Sequence, residues 1–155
     1  MVYFDQKRMR AAVMDMVNNS KPNVFLTFSF GHPHRATRHP VGRHPGWHPI
    51  PSHAIHARVR DFIDRLEAAV EGVPIPGARA FGFLESASVN PHMHVLVNLD
   101  SDQIDWLEER GKAVWRKLSN NGQLHVEETK HPVKVLSYCT KRFTDQKAFE
   151  NMFIH

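Results

Sequence analysis

Apolar residues alternate with polar ones in several short runs, and recur at spacings of three and four in longer ones. The first pattern belongs to half-buried strands and the second to helices packed on a sheet. The clearest alternation is Pro91-His92-Met93-His94-Val95-Leu96-Val97. As a strand it buries Met93, Val95, Val97 and Leu99 on one face and turns His92 and His94 together to the other. Strands are also expected over residues 23–30, 79–85 and, as a short run after Asn120-Asn121-Gly122, from Gln123 to Glu127.

Helical spacing is expected over residues 4–18, using Phe4, Met9, Val13, Met16 and Val17. It recurs over 52–71, where Ser52 caps a stripe of Ile55, Val59, Phe62, Ile63, Leu66 and Val70. Asp100 or Ser101 caps a third helix to Leu118, with Ile104, Leu107, Gly111, Val114 and Leu118 on one side. His131-Pro132 starts a fourth, free of breakers up to Phe149, with Val133, Leu136, Thr140 and Phe143 inward. This tyrosine-bearing helix is expected to close the chain. The order predicts a single α+β domain over residues 1–155. Its antiparallel sheet has about five strands in a ferredoxin-like, RRM-like arrangement, with helices mainly on one face.

The histidine pair is the strongest chemical signal. Two imidazoles side by side on a rigid strand are suited to a divalent metal. Glu85 ends the run Phe81-Gly82-Phe83-Leu84-Glu85. A hairpin across residues 86–91 would bring it to His92 and His94, leaving coordination positions open for substrate oxygens. A third alternating histidine, as in histidine-triad nucleotide hydrolases, is missing, because that position is Leu96. A structural zinc site fits poorly with a single cysteine. That residue, Cys139, reads as a packed thiol.

Tyr138 lies opposite the apolar stripe of its helix, between Lys134 and Lys141. It reads either as a ring packed on a neighbour or in a cation–π contact, or as a phenolic nucleophile with cations nearby. The chain has only two tyrosines.

Three blocks, in order, resemble the HUH endonucleases: Asn23-Val24-Phe25-Leu26-Thr27-Phe28-Ser29, then Pro91-His92-Met93-His94-Val95-Leu96-Val97, then Tyr138-Cys139-Thr140-Lys141. That superfamily includes rolling-circle replication initiators, conjugative relaxases and single-tyrosine transposases. One tyrosine followed by Lys141 looks most like the initiators of small plasmids, phages and single-stranded DNA viruses. The resemblance implies a nickase of single-stranded DNA. Glu85, His92 and His94 would hold Mn²⁺ or Mg²⁺, Tyr138 would attack phosphorus to leave a 5′-phosphotyrosine, and Lys141 would stabilise charge or position the tyrosine. Lys134 is added from the helical wheel as a DNA contact. A transposase or recombinase on the same fold, or a DNA-binding module that does not cut, are the alternatives.

Composition narrows this little. The hydrophobic share of 41% suits a globular domain, and a net charge of +4 permits a polyanionic partner. No run is long enough to span a membrane, and the first residues lack the apolar core of a signal peptide. One cysteine fits a reducing, cytoplasmic interior. No helicase segment follows, so the expected partners are single-stranded DNA at an origin or hairpin and a helicase borrowed from the host, unless this is an excised domain.

Residues 31–52 are rich in His, Pro and Arg, and their prolines and glycines exclude a regular element. Arg35, Arg38 and Arg43 supply charge and Trp47 a stacking surface, as single-strand binding sites do. The segment reads equally as a loop of solvated histidines, or one that collects metal adventitiously. If it contacts DNA, replacing Arg35, Arg38 and Arg43 with alanine weakens single-strand binding in a filter or anisotropy assay. Unchanged affinity at low salt counts against that role.

Overall fold

The computed structural model describes residues 5–30, 50–69, 80–85, 91–140 and 152–155. The elements in order are α1 (Gln6–Ser20), β1 (Val24–Ser29), α2 (Ser52–Ala69), β2 (Ala80–Glu85) and β3 (His92–Val97). Then come α3 (Ser101–Trp106), a π-helical segment (Leu107–Gly111), α4 (Lys112–Leu118), β4 (Leu124–Glu128), α5 (Pro132–Cys139) and β5 (Met152–Ile154). The expected segment of residues 31–49 lies outside the described residues, with Arg35, Arg38, Arg43 and Trp47. So do Lys141, Phe4, Val70 and Phe143.

The strands form one sheet in the order β4-β1-β3-β2-β5, and every neighbouring pair is antiparallel. From β1 to β4 the path is β-α-β-β-α-β with the ferredoxin-like order 4-1-3-2, as the sequence pattern predicts. Each crossover skips one strand, so the central pair, β1 and β3, is not consecutive in sequence.

β5 departs from the expected order. The chain does not close on the tyrosine helix but adds Met152–Ile154 beside β2. Three consecutive apolar residues carry no alternation that distinguishes a strand from anything else. They find their place because Gly82 opposes Phe153: a Cβ at Gly82 would crowd both Met93 and Phe153.

The sheet's two faces are unequal. Val24, Leu26, Phe28, Met93, Val95 and Val97 join Ile55, Phe62 and Leu66 of α2 and Trp115 of α4 in the larger core. The smaller cluster lies on the other face, where Val13 and Val17 of α1 and Leu136 of α5 meet Phe81, Phe83 and Leu96. Most of the helical mass therefore covers one face, as expected. α1 and α5 cover only the end of the other face nearest Phe81 and Leu96, and leave its far end to polar side chains.

Local capping follows the sequence closely. Asp5 caps α1, and Lys21 closes it at φ 47°. Asp100, not Ser101, caps α3, forming a capping box with Gln103. Ser52 does not stand outside α2 as its cap but is its first residue, and the Pro51 carbonyl accepts from Ala54 and Ile55 N–H. Asn120 and Asn121 both take positive φ, 55° and 69°, at the expected turn into β4.

The expected helix over 101–118 is interrupted by the π-helical segment. Buried positions fall at Gln103, Leu107, Gly111, Trp115 and Ser119, a strict spacing of four. An ideal α-helix repeats every 3.6 residues and would rotate such a row off the sheet. The wider π turn restores the phase. Trp115 is consequently fully buried, while Val114 and Leu118, expected inward, are only partly so. Its ring packs edge-on against Phe28, Phe30 and Phe62, and its Nε1–H donates to the Ser29 carbonyl at 3.0 Å. Trp115→Ala removes that packing and leaves the carbonyl unpaired. It should lower unfolding stability by about 3–5 kcal/mol, read as a reduced midpoint in urea.

Candidate metal centre

The β2–β3 hairpin pairing sets Glu85 directly opposite His92, and Phe83 opposite His94. Phe81, Phe83 and Glu85 alternate onto the face that also carries His92, His94 and Leu96. Glu85 Oε2 consequently lies 3.1 Å from His92 Nε2 and 3.1 Å from His94 Nε2. The two rings are 5.0 Å apart and nearly perpendicular, at 83°. The three groups expected to converge do so, and all three are half-buried.

Burial alone would raise Glu85. Hydrogen bonding to His94, with the charge and hydrogen bond of His92, outweighs it and holds the carboxyl below its ordinary 4.5. For His94 burial is the largest influence. It disfavours the imidazolium and, against the pull of Glu85, keeps the ring below its ordinary 6.5. At neutral pH the set is a carboxylate beside a neutral imidazole, the protonation states in which both are ligands. A proton on Nε2 lets the ring donate to Oε2. A cation in place of that proton would find Nε2 and Oε2 already aimed at a common point.

His94 is held from behind by residues of β1. Thr27, which pairs with His94 in the β1–β3 ladder, places its Oγ1 3.1 Å from His94 Nδ1. Phe25 stacks on the ring at 5.3 Å and 19°. With Thr27 accepting from Nδ1–H, Nε2 keeps its lone pair for a ligand, the usual outer-shell arrangement of metal-binding histidines. Sequence reading placed Thr27 in a strand but gave it no role. The usable signal was a hydroxyl at the centre of β1, on the same face by alternation as Phe25 and Ser29.

α5 starts at Pro132 as expected and spans Pro132–Cys139, with Thr140 as C-cap; the rest of the expected helix, to Phe149, lies outside the described residues. Leu136 and Thr140 are buried and Val133 partly so. Cys139 is partly buried among the smaller core, with its thiol pushed up to about 12 by burial and by the nearby Glu85 carboxylate. It is the packed thiol expected. It packs against the cluster that holds Phe83 and Leu96, on the sheet face that carries Glu85 and His94. Tyr138, the next residue back, is 67% exposed on the polar side of the helix, and Lys134 is exposed one turn earlier. Among the described residues, no hydrogen bond or ring contact ties the phenol to Glu85, His92 or His94. The structure thus assembles the His–His–Glu set, and it puts the tyrosine's helix on the same sheet face with the phenol facing solvent.

A second group of possible ligands, Asp64, Glu67 and His155, lies on the helical side, where His155 Nε2 is 3.3 Å from Asp64 and 3.5 Å from Glu67. Among the described residues, no helix is long and apolar enough to cross a membrane. Comparison with protein families, curated proteins and solved structures finds no match for this chain.

If the cluster binds metal, Mn²⁺ affinity measured by calorimetry holds steady at and above neutral pH. It falls in acid, where a proton competes for His94; burial holds that ring below the ordinary imidazole range, so the loss sets in lower than for a free histidine. Thr27→Val, which removes the partner of His94 Nδ1 and keeps the strand shape, lowers the affinity about 10-fold or more.

Proposed function

We propose that this chain is a metal-dependent endonuclease that nicks and rejoins single-stranded DNA, of the HUH type, and that it initiates rolling-circle replication. The observation that carries the reading is the convergence of His92 Nε2 and His94 Nε2 on one Glu85 oxygen, at the polar end of a ferredoxin-like sheet. The sequence order that placed a tyrosine helix after this strand is matched by a helix packed on the same face.

Glu85, His92 and His94 would hold the divalent ion. Two imidazoles among three donors favour Mn²⁺ over Mg²⁺, which prefers an all-oxygen shell. When bound, the ion would supply Lewis-acid polarisation of the scissile phosphate. The protein's own part is to orient that phosphate against the half-buried polar end of the sheet and to present a nucleophile to it.

Tyr138 is that nucleophile. Its phenolic oxygen forms a bond to phosphorus as the bond from phosphorus to the 3′-oxygen breaks. The phenolic proton passes to solvent, and the departing oxygen takes up a proton as a free 3′-OH. The energy of the broken ester is retained in the 5′-phosphotyrosine, so attack by a 3′-OH reverses the step and rejoins the strand. The exposed position of Tyr138 suits this role: a polymeric substrate laid over the sheet end can reach it without a channel. Lys134, on the same side of α5, and Lys141 would neutralise phosphate charge beside it.

Incubation with a mixed pool of single-stranded oligonucleotides and Mn²⁺ should give a slower protein band on a denaturing gel. The band should be absent with a chelator, with Tyr138→Phe and with His92→Ala/His94→Ala. A band that persists in Tyr138→Phe excludes this nucleophile. DNA retained without any adduct from the wild type points to a binding module.

A further inference from the structure

The described polar groups of the sheet end do not stop at the metal-type cluster. Thr27 pairs with His94 on one side and with His125 of β4 on the other, so His94, Thr27 and His125 form a row across three strands. Beyond Thr27 the row opens into a groove of about 410 Å³. That falls within the usual range for ligand clefts, roughly 300–1,000 Å³. Thr27 and Ser29 form one side of it, Gln123 and His125 another, and Lys112 and Arg116 of α4 supply the charge.

Three features make this a built surface. Lys112 and Arg116 stand four apart on one helix, and neither forms an ion pair among the described residues. Among the described residues, no carboxylate lines the groove. The wall they stand on is pinned, because Trp115, between them in sequence, donates to the Ser29 carbonyl at 3.0 Å. Ser29 Oγ accepts from the Gln123 N–H at 2.9 Å, and a Cβ at Gly122 would collide with the Ser29 carbonyl, so β4 enters close against β1. Two cations with no ion-pair partner among the described residues, beside neutral hydrogen-bonding groups and an exposed imidazole, match the chemistry of a nucleotide: phosphate for the cations, a base face for the ring.

We propose that this groove binds a backbone phosphate and its neighbouring base on the same DNA strand that the metal centre cuts. The strand would run across the sheet from β3 over β1 to the β4 edge. Two strand spacings amount to about 10 Å, or roughly three nucleotides at a 3.4 Å rise. The assignment rests on the nicking reading for the identity of the strand, but its test is separate from that reading.

The test is fluorescence anisotropy of a labelled mixed-sequence single-stranded oligonucleotide at several salt concentrations, with chelator present. Lys112→Ala/Arg116→Ala should weaken binding about 10-fold at low salt. It should also make the log–log salt dependence shallower by roughly 0.7, for the one lost phosphate contact on a single strand. Arg110→Ala/Lys117→Ala removes the same charge from the same helical stretch but outside the groove, and should stay close to wild type. Mn²⁺ affinity unchanged in the groove variant shows that the fold and the metal centre are intact. Equal losses in both double variants, or no loss in the groove variant, overturn the assignment. Wild-type protein that binds DNA with the expected slope change yet never forms an adduct overturns the nicking reading and leaves the groove standing. Wild-type protein that binds no single strand at low salt overturns both.

Discussion

Glu85, His92 and His94 sit half-buried at the edge of an apolar layer, where polar groups survive only when they satisfy one another. The β2–β3 register is what satisfies them. A slip of one residue in that pairing would turn both histidines into the larger core and Met93 and Val95 towards solvent. Register is therefore held from the far side of the sheet. Met93, Val95 and Val97 are locked among Leu26, Phe28 and the inner stripe of α2, and the polar cluster inherits its geometry from that packing.

The asymmetric coverage of the sheet follows from the same constraint. α2 and the α3–α4 layer take one face whole, so the second face needs only enough apolar cover to bury Phe81, Phe83 and Leu96. α1 and α5 provide it at one end. The other end is left to Glu85, His92, His94, Thr27 and Ser29, continuous with the groove under α4. Tyr138 is carried by the smaller helical cover, on the same sheet face as the cluster and exposed to solvent.

The π-helical segment connects packing to chemistry. It keeps a row of four-spaced residues on the core across two helices, which buries Trp115 and so turns Lys112 and Arg116 outwards. Trp115 then bonds to the carbonyl of Ser29, whose register partner on β3 is His92. The basic wall is thus tied to β1, the strand whose Thr27 also backs His94 of the metal-type cluster.

Most of the elements, and which residues of β3 face the core, were legible from the chain itself. Alternation and three-four spacing are local properties, and burying one face of a strand suffices to sort Met93 from His94. The convergence of His92, His94 and Glu85 was legible too, because a hairpin is the shortest connection and its partner strand is nearby in sequence. Other features depended on contacts between distant segments. β5 is too short to show a period, and it exists because Gly82 leaves room for Phe153. The π turn is set by what Gly111 and Trp115 must touch. Thr27 acquires its role only when β1, inserted between β3 and β4, brings a hydroxyl to His94 Nδ1. The groove is assembled from three segments that no local pattern relates, so it took the tertiary fold to place two cations of α4 beside a strand that begins at residue 24.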